Sequence, residues 1–176
     1  MARLRKFCAY RKLEKRPYTR ISKYREKSYI KATPNLTIVK FDMGNATKEF
    51  DCSLELKSRI DCQIRHNALE SARQSSNRLL ENTLGKSGYY MRIKTYPFHI
   101  LRENPLAAGA GADRMSTGMQ HAFGNPISSA ARIKKGQTIV MLKVNKANID
   151  LGKTALKRAG AKLPCGCMIV INEVKK

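Results

Sequence analysis

The segment that most constrains the fold is the run of 25 residues from Arg102 to Pro126. It is rich in glycine and alanine, contains no lysine, and has strand-like residues on both sides. A segment of this length without secondary structure is uncommon inside a compact domain, and it is usually functional or a linker. The sequence therefore predicts a folded scaffold that carries a long loop at about residues 103–118. A disordered connection is the alternative.

Apolar periodicity around this loop predicts an α+β scaffold. Period-two alternation or short apolar runs predict strands at residues 37–43, 50–57, 89–96, 98–101, 137–144 and 168–174. In the first strand, Thr37, Val39, Phe41 and Met43 share one face. Residues 127–133 are expected to be irregular or a short turn.

Helical spacing predicts two helices. The long one begins near Ser58, where Ser58 and Asp61 form a plausible capping box, and it ends at Gly85. The shorter helix covers residues 150–163 and ends before Pro164. The long helix is expected to cover one face of the sheet with its apolar side.

The first 31 residues have a different character. They contain twelve Lys or Arg and two Glu, a net charge of +10, with five aromatic residues interleaved. Because neither a helical nor a strand period runs through them, we expect an extended arm, residues 1–34, that orders on RNA beside a globular body, residues 35–176. Basic side chains neutralise phosphates, and aromatic rings stack on exposed bases. A solvated, non-specific basic tail is the alternative.

The charge of the whole chain also indicates a polyanionic partner. The net charge is +22 and the pI is about 10.2, and nucleic acid is the commonest such partner. An anionic membrane surface is the competing interpretation. The sequence has no apolar run near the ~18 residues that a spanning helix needs, and no apolar segment follows the basic start as in a signal peptide. We therefore expect a cytoplasmic protein with no membrane partner.

No catalytic, metal or cofactor site can be assembled from the sequence. The five cysteines are odd in number, and Cys165 and Cys167 have C-x-C spacing rather than that of a zinc site, so we interpret the cysteines as buried thiols. The three histidines form no metal-binding pair and are interpreted as structural. The Gly109-Ala-Gly111 run lacks the third glycine and the βαβ context of a dinucleotide loop. We expect no metal, no cofactor and no small-molecule partner.

Three runs resemble a known family. They are Met1-Ala-Arg-Leu-Arg-Lys-Phe-Cys-Ala-Tyr-Arg11, Tyr96-Pro-Phe-His-Ile-Leu-Arg102 and Ala112-Asp-Arg-Met-Ser-Thr-Gly-Met119. The scattered motif Ala112-Asp113-Arg114, Gly118-Met119, Phe123-Gly124, Pro126, Ser128 and Ala131-Arg132-Ile133 is more specific still. Over essentially its whole length, the chain resembles the universal large-subunit ribosomal protein sixteen family, in its archaeal and eukaryotic "ten-e" branch. Its length is similar to that of archaeal members. Gln120 and Asn125 depart from the usual basic residues, so phosphate contacts are not expected there.

The resemblance implies a fold and a function. The fold is an α+β sandwich with a hammerhead-like β motif and two helices. The function is that of a non-enzymatic constituent of the large ribosomal subunit, bound to rRNA and to neighbouring ribosomal proteins. The long loop would point towards the peptidyl-transferase centre and help to position the acceptor arm of tRNA. A free-standing RNA-binding or ribosome-assembly factor is the alternative, and a nucleotide-using enzyme is a third hypothesis for which we find no site.

Two groups of residues follow from these expectations. The arm, together with two arginines of the body, is expected to bind rRNA through Arg3, Arg5, Lys6, Arg11, Lys12, Arg16, Tyr18, Arg20, Lys23, Tyr24, Arg25, Lys27, Arg92 and Arg132. The loop is expected to lie near tRNA through Arg102, Gly109, Gly111, Asp113 and Arg114.

Overall fold

A computed structural model describes residues 4–13, 18–19, 21–22, 24–28, 30–32, 34–104, 109–110 and 123–173. Within these residues the chain forms eight strands and two α-helices. The strands are β1 (Asp42–Gly44), β2 (Cys52–Ser58), β3 (Cys62–Arg65), β4 (Tyr90–Ile93), β5 (His99–Glu103), β6 (Asn125–Ile133), β7 (Thr138–Val144) and β8 (Cys167–Glu173); the helices are α1 (His66–Leu84) and α2 (Ile149–Ala161). The predicted α+β class with two helices is confirmed.

The strands form two antiparallel sheets. The five-stranded sheet has the order β1-β4-β7-β2-β8, and the three-stranded sheet has the order β3-β6-β5. The loop predicted from the sequence joins β5 to β6, the two neighbouring strands of the smaller sheet. The position of the loop is therefore set by this sheet.

The five-stranded sheet, both helices and the strands β3 and β6 of the smaller sheet share the main hydrophobic core. In β2 every second residue is fully buried, and Leu54 lies opposite Leu142 of β7 and Ile171 of β8. Helix α2 approaches this face closely, because a Cβ atom added at Gly152 would stand 3.3 Å from side-chain carbons of both Leu54 and Leu142. Burial of one such leucine stabilises the fold by about 1.5–3 kcal/mol.

Helix α1 ends at the predicted residue. Gly85 has a φ of 66° and donates its backbone N–H to the carbonyl of Glu81 at 3.1 Å. This left-handed conformation favours glycine, which has no Cβ to clash. Leu69, Ala72 and Leu80 form the buried face of the helix.

The predicted start of α1 is wrong. Ser58 is the last residue of β2, and its hydroxyl donates to the carbonyl of Ile60 at 2.7 Å instead of capping a helix. Residues 62–65 then form β3, in which Cys62 and Ile64 lie opposite Ile133 and Ala131 of β6. The helix begins only at His66, because pairing with β6 holds the preceding residues in an extended conformation.

The predicted strand at residues 37–43 is also largely wrong. Only β1 pairs regularly, and the buried residue before it is Ile38, whereas Val39 is 78% exposed. The backbone N–H and the hydroxyl of Thr37 both bond to Nδ1 of His66, at 3.1 and 2.8 Å. These bonds attach Thr37 to α1. As a result Ile38, and not Thr37 or Val39, faces the core.

The expectation of irregular structure at residues 127–133 is wrong as well. These residues belong to β6, the central strand of the three-stranded sheet. The run from Ser128 to Ala131 is buried at every position. Because small residues are buried on both faces of the strand, the alternation that marks a half-buried strand is missing.

Candidate nucleic-acid interface

The described part of the arm covers both edges of the three-stranded sheet. At the β3 edge, Gln63 donates its backbone N–H to the carbonyl of Arg11 at 3.2 Å. At the β5 edge, Ile100 donates to the carbonyl of Thr19 at 2.8 Å, and Ile21 donates to the carbonyl of Phe98 at 3.1 Å. Unpaired edge groups are a liability in a sheet, and the arm satisfies them. It is thus part of the folded scaffold at these points.

Polar side chains of the same sheet strengthen this attachment. The side-chain amide of Gln63 donates to the carbonyls of Tyr10 and Lys12, at 2.9 and 3.1 Å. The imidazole of His99 accepts from the backbone N–H of Thr19 at 3.1 Å. Gln63 and His99 are both buried, so each bond is shielded from water.

The basic side chains of the docked arm remain exposed. Arg5, Lys6, Arg11 and Lys12 are all exposed to solvent although the backbone between them is attached to the sheet. Tyr10 is different: it is only 1% exposed and packs with Leu101 and Ala130, so it cannot stack on a base. Fixing the backbone while leaving cationic side chains exposed to solvent is an arrangement suited to binding phosphates.

Arg132 and Tyr18, both expected to bind rRNA, are brought together. The guanidinium of Arg132 lies 4.7 Å from the centre of the Tyr18 ring and donates to the carbonyl of Leu13 at 3.2 Å. Tyr18 also contacts His99, with ring centres 5.5 Å apart, and remains 42% exposed. Arg132 therefore holds the arm in place, and Tyr18 presents the open aromatic surface.

Tyr24 and Lys27 form a second small group. The ammonium of Lys27 lies 5.3 Å from the centre of the Tyr24 ring, and Tyr24 is 60% exposed. A short 3₁₀-helix at Arg25–Lys27 sets this spacing. Ring and cation are thus presented together, as base stacking with phosphate contact requires.

A buried carboxylate joins the arm to the base of the loop. Glu103, at the end of β5, accepts a hydrogen bond from the Tyr10 hydroxyl and another from Nε of Arg5 at 3.0 Å. Hydrogen bonding to Glu103 raises the pKa of Arg5, while burial, followed by the bond to Glu103, raises the pKa of Tyr10. Sequence analysis did not single out Glu103, because nothing in its local pattern reveals partners more than 90 residues away.

The base of the loop is narrow. The guanidinium of Arg102 lies 4.1 Å from the centre of the Phe123 ring, across the two ends of the loop. Gly124 allows this approach, because a Cβ atom there would stand 2.8 Å from the carbonyl carbon of Glu103. Within the loop, Gly109 has a φ of 111°. Gly111, Asp113 and Arg114 lie outside the described residues.

Arg92 is separate from the arm. It lies on β4 of the five-stranded sheet, where its Nε is 3.5 Å from a carboxylate oxygen of Asp42, and about half of its side chain is exposed. The remaining expected contacts, Arg3, Arg16, Arg20, Lys23 and the side chain of Arg25, lie outside the described part of the chain.

Arg65 was missed by the sequence analysis. Its guanidinium donates to the carbonyl of Arg5 at 3.2 Å and lies 5.9 Å from the centre of the Phe7 ring. Arg65 fell within the long helix predicted from near Ser58 to Gly85, where a solvated position is at least as ordinary as a contact with RNA. Its position at the end of β3 instead directs it to the arm.

The histidines and cysteines have structural surroundings. His66 and His99 have hydrogen-bond partners in the fold, which confirms their structural interpretation; His121 is outside the described residues. Cys52, Cys62 and Cys165 are buried as predicted and Cys167 is partly buried, but Cys8 is exposed, contrary to prediction. Across the described ranges, no three His, Cys, Asp or Glu side chains are grouped to hold a metal ion. The lack of a metal site stays a prediction.

No helix of the described residues is long and apolar enough to cross a bilayer.

Comparisons with known proteins agree on one family. The model of the family "Ribosomal protein L16p/L10e" matches residues 13–170. The large ribosomal subunit protein uL16 of Methanococcus maripaludis is 44% identical over 173 residues, which are 98% of this chain and 96% of that protein. The uL16 protein of Methanospirillum hungatei is 46% identical over 162 residues, 92% of each chain. That of Staphylothermus marinus is 44% identical over 159 residues, 90% of this chain and 88% of that protein.

Proposed function

We propose a function from the premise that this chain belongs to the ribosomal protein L16p/L10e family, in its archaeal type. As a member, it is a structural constituent of the large ribosomal subunit, located on cytoplasmic ribosomes, and not an enzyme. Our proposal is that the arm, residues 1–34, binds large-subunit rRNA, and that the loop of the body helps to position the tRNA acceptor arm near the peptidyl-transferase centre.

One observation carries the rRNA part of the proposal. The backbone of the arm is bound to the edges of a sheet, yet Arg5, Lys6, Arg11 and Lys12 are exposed. An ordered row of cations loses less conformational entropy on binding phosphates than a mobile tail does. The paired groups Arg132 with Tyr18 and Lys27 with Tyr24 add aromatic surface beside this row.

The test is to neutralise Lys6, Arg11 and Lys12 without removing the backbone that covers the sheet or the bond between Arg5 and Glu103. We expect the variant K6Q/R11Q/K12Q, which keeps the bond between Arg5 and Glu103, to bind large-subunit rRNA more weakly and with a flatter salt dependence. Each lost phosphate contact should reduce the slope of log K against log salt by about 0.7–0.9. Binding would be measured by filter retention from 50 to 300 mM salt, a range over which the Debye length falls from about 14 Å to about 6 Å.

A matched control removes three exposed cations from elsewhere on the body, with the variant K157Q/R158Q/K162Q. Equal slopes for the two variants would show that total charge, not the arm, governs binding. Sucrose gradients in high salt complete the test. A constituent stays with large subunits, whereas an assembly factor is found mainly off the ribosome.

The tRNA part of the proposal is carried by the composition and position of the loop. It has no lysine from Arg102 to Pro126, unlike the arm, and Arg102 and Phe123 close its base. A loop that binds rRNA permanently would be expected to carry more cations. A cation-poor, glycine-rich loop suits intermittent contact with a moving partner.

Shortening the loop tests this role. Deletion of residues 106–111 should leave incorporation into large subunits nearly intact and slow tRNA accommodation or peptide-bond formation. The control replaces the same six positions with glycine and serine, which keeps the length. If the shortened protein fails to assemble while surviving ribosomes translate normally, the loop serves assembly and the tRNA proposal is wrong.

A further inference from the structure

Three aromatic rings form a ladder at the edge of the main core, against which Phe41 packs. Phe41 and Tyr96 are stacked with ring centres 5.3 Å apart, and Tyr96 and Phe98 follow at 4.5 Å. Tyr96 is 36% exposed and Phe98 is 47% exposed. This is a considerable area of aromatic surface in contact with water, and contiguous exposed apolar surface usually marks a binding site.

An open groove of about 430 Å³ runs beside the ladder. Its lining consists of Phe41, Arg92, Ile93, Lys94, Thr95 and Tyr96. The volume lies in the range of small-ligand sites, which are typically about 300–1,000 Å³. The lining of the groove therefore includes two aromatic rings and two cations.

The polar groups of the groove indicate what it binds. Lys94 is exposed, and about half of the Arg92 side chain is exposed despite its ion pair with Asp42. Thr95 is only 4% exposed, and its buried hydroxyl has no hydrogen-bond partner. A buried hydroxyl without a partner costs free energy. A ligand with a polar edge would offset this cost by hydrogen bonding to the Thr95 hydroxyl after a small shift of that side chain.

We propose that this groove binds an unpaired nucleotide of large-subunit rRNA, with its base against the Phe41–Tyr96–Phe98 ladder and its phosphates near Arg92 and Lys94. Aromatic surface next to cations is the usual composition of a site for single-stranded nucleic acid. An acidic protein segment could pair with the cations, but it would not need the row of aromatic rings. That this RNA is rRNA rests on the proposed function, in which the protein is bound to large-subunit rRNA.

The ladder is continuous with the docked arm. Phe98, the last ring, accepts the backbone hydrogen bond of Ile21 through its carbonyl. Arg92 had been grouped with the arm in the sequence analysis, yet it lies on the other sheet. The ladder lies between the arm and Arg92, so one RNA strand could contact both. That RNA strand would pass from the arm across Phe98 to the groove.

The first test is ultraviolet cross-linking of intact large subunits, followed by digestion and mass spectrometry. We expect a nucleotide adduct on the peptide that contains Tyr96 and Phe98, besides adducts on the arm. Adducts on the arm alone would overturn the groove proposal and leave the proposed function standing. A cross-link to a peptide of another protein would also overturn it, because the occupant would then be protein. No RNA adduct anywhere on the chain would contradict the proposed function as well.

The second test uses the full-length protein and two labelled RNA probes, a single strand of eight uridines and a blunt duplex of eight base pairs. The double variant Y96L/F98L should bind the single strand about tenfold more weakly, since each stacked base contributes about 1–3 kcal/mol. Its affinity for the duplex should hardly change. The control I60A/I171A removes comparable exposed apolar surface elsewhere and should behave as the unaltered protein on both probes.

A conservative variant separates stacking from folding. Tyr96→Phe keeps the ring and should retain the affinity for the single strand, whereas Tyr96→Leu should lower it by several fold. An equal loss in both Tyr96 variants, or an equal loss on both probes, would overturn the proposal. In that event the proposed function is still tested separately by the rRNA binding of the variant in which the arm cations are replaced by glutamine.

Discussion

The two sheets of this molecule are stabilised by different kinds of interaction. The five-stranded sheet buries aliphatic side chains such as Leu54, Leu142 and Val144 against two helices. The three-stranded sheet adds Cys62, Ile64, Ala131 and Ile133 to the same core. It differs in also burying polar side chains, namely those of Gln63, His99, Glu103, Ser128 and Ser129. Its described apolar cluster centres on Tyr10, Leu101 and Ala130, and Tyr10 belongs to the arm.

This difference connects stability with function. Apolar burial is non-directional and suffices to fold the larger sheet. Hydrogen bonds from Gln63 and His99 are directional, so they fix where the arm lies and therefore where its cations stand. We infer that the larger sheet supplies most of the folding free energy, while the smaller sheet orients the RNA-binding arm and the loop.

The largest expected effect is on the free energy of unfolding. Leu54→Ala should lower it by about 4–5 kcal/mol, because the side chain is fully buried between the sheet and α2. Leu101→Ala, in the smaller cluster, should cost only about 2–3 kcal/mol, since the arm beside it can shift to fill the space. Urea denaturation at pH 7.5 measures both values.

Hydrogen exchange of the arm supplies the second half of this test. Leu101→Ala should increase exchange at the described arm residues around Tyr10, whereas Leu54→Ala should not do so selectively. If both variants lose the same free energy of unfolding and show the same exchange in the arm, the two sheets form one cooperative core. The proposed difference between the sheets would then be wrong.

A smaller effect is expected at the carboxylate that joins arm and loop. Glu103→Gln keeps the shape but weakens the charge-assisted bond from Arg5, which should cost about 1 kcal/mol because Arg5 is largely exposed. Exchange at residues 4–13 should rise by several fold, and the salt slope of rRNA binding should decrease.

The matched control is the same substitution in the other sheet. Glu55 accepts from Lys57 and Thr138 and is also mostly buried, and its pKa is lowered chiefly by the bond from Lys57. Glu55→Gln should alter stability slightly and leave the arm unaffected. A loosened arm in Glu55→Gln would show that arm docking depends on overall stability rather than on Glu103.

Apart from β1, the sequence predicts the larger sheet well, for a physical reason. The alternation in β2 and the apolar run in β7 reflect burial against helices, and the left-handed end of α1 required the glycine at residue 85. Such signals are local, so they can be read without knowing the fold. The predicted strands at 137–144 and 168–174 and the helix at 150–163 agree with the structure within two residues.

The smaller sheet was largely missed because its signals are not local. Burial on both faces removes the alternation from β6, and β3 is an extended segment only because it pairs with β6. The cation-rich arm was recognised from its charge, but the sequence did not reveal that its backbone is attached to the edges of the three-stranded sheet. The side-chain amide of Gln63 donates to the carbonyl of Tyr10, 53 residues away in the chain. In the sequence, such polar residues cannot be told apart from ordinary surface residues.

The smallest expected effect is the pH dependence that His66 gives to the smaller sheet. Nδ1 of His66 accepts the backbone N–H of Thr37, so the neutral ring carries its proton on Nε2, where it can donate to the Ser128 hydroxyl at 3.0 Å. Burial, and then the positive charge of Arg65, lower the pKa of His66 below its usual 6.5. The unfolded chain therefore binds the proton more readily than the folded one.

It follows that stability from His66 is fully present above about pH 6.5 and is lost as the pH falls towards the lowered pKa of the folded state. The loss cannot exceed about 1.4 kcal/mol per pH unit for one proton. Unfolding free energies between pH 5 and 8 should fall more steeply on acidification in the unaltered protein than in His66→Asn, which retains an acceptor but cannot be protonated. Parallel curves would show that His66 titrates alike in both states, and the polar interior of the smaller sheet would then be no more shielded from water than its surface.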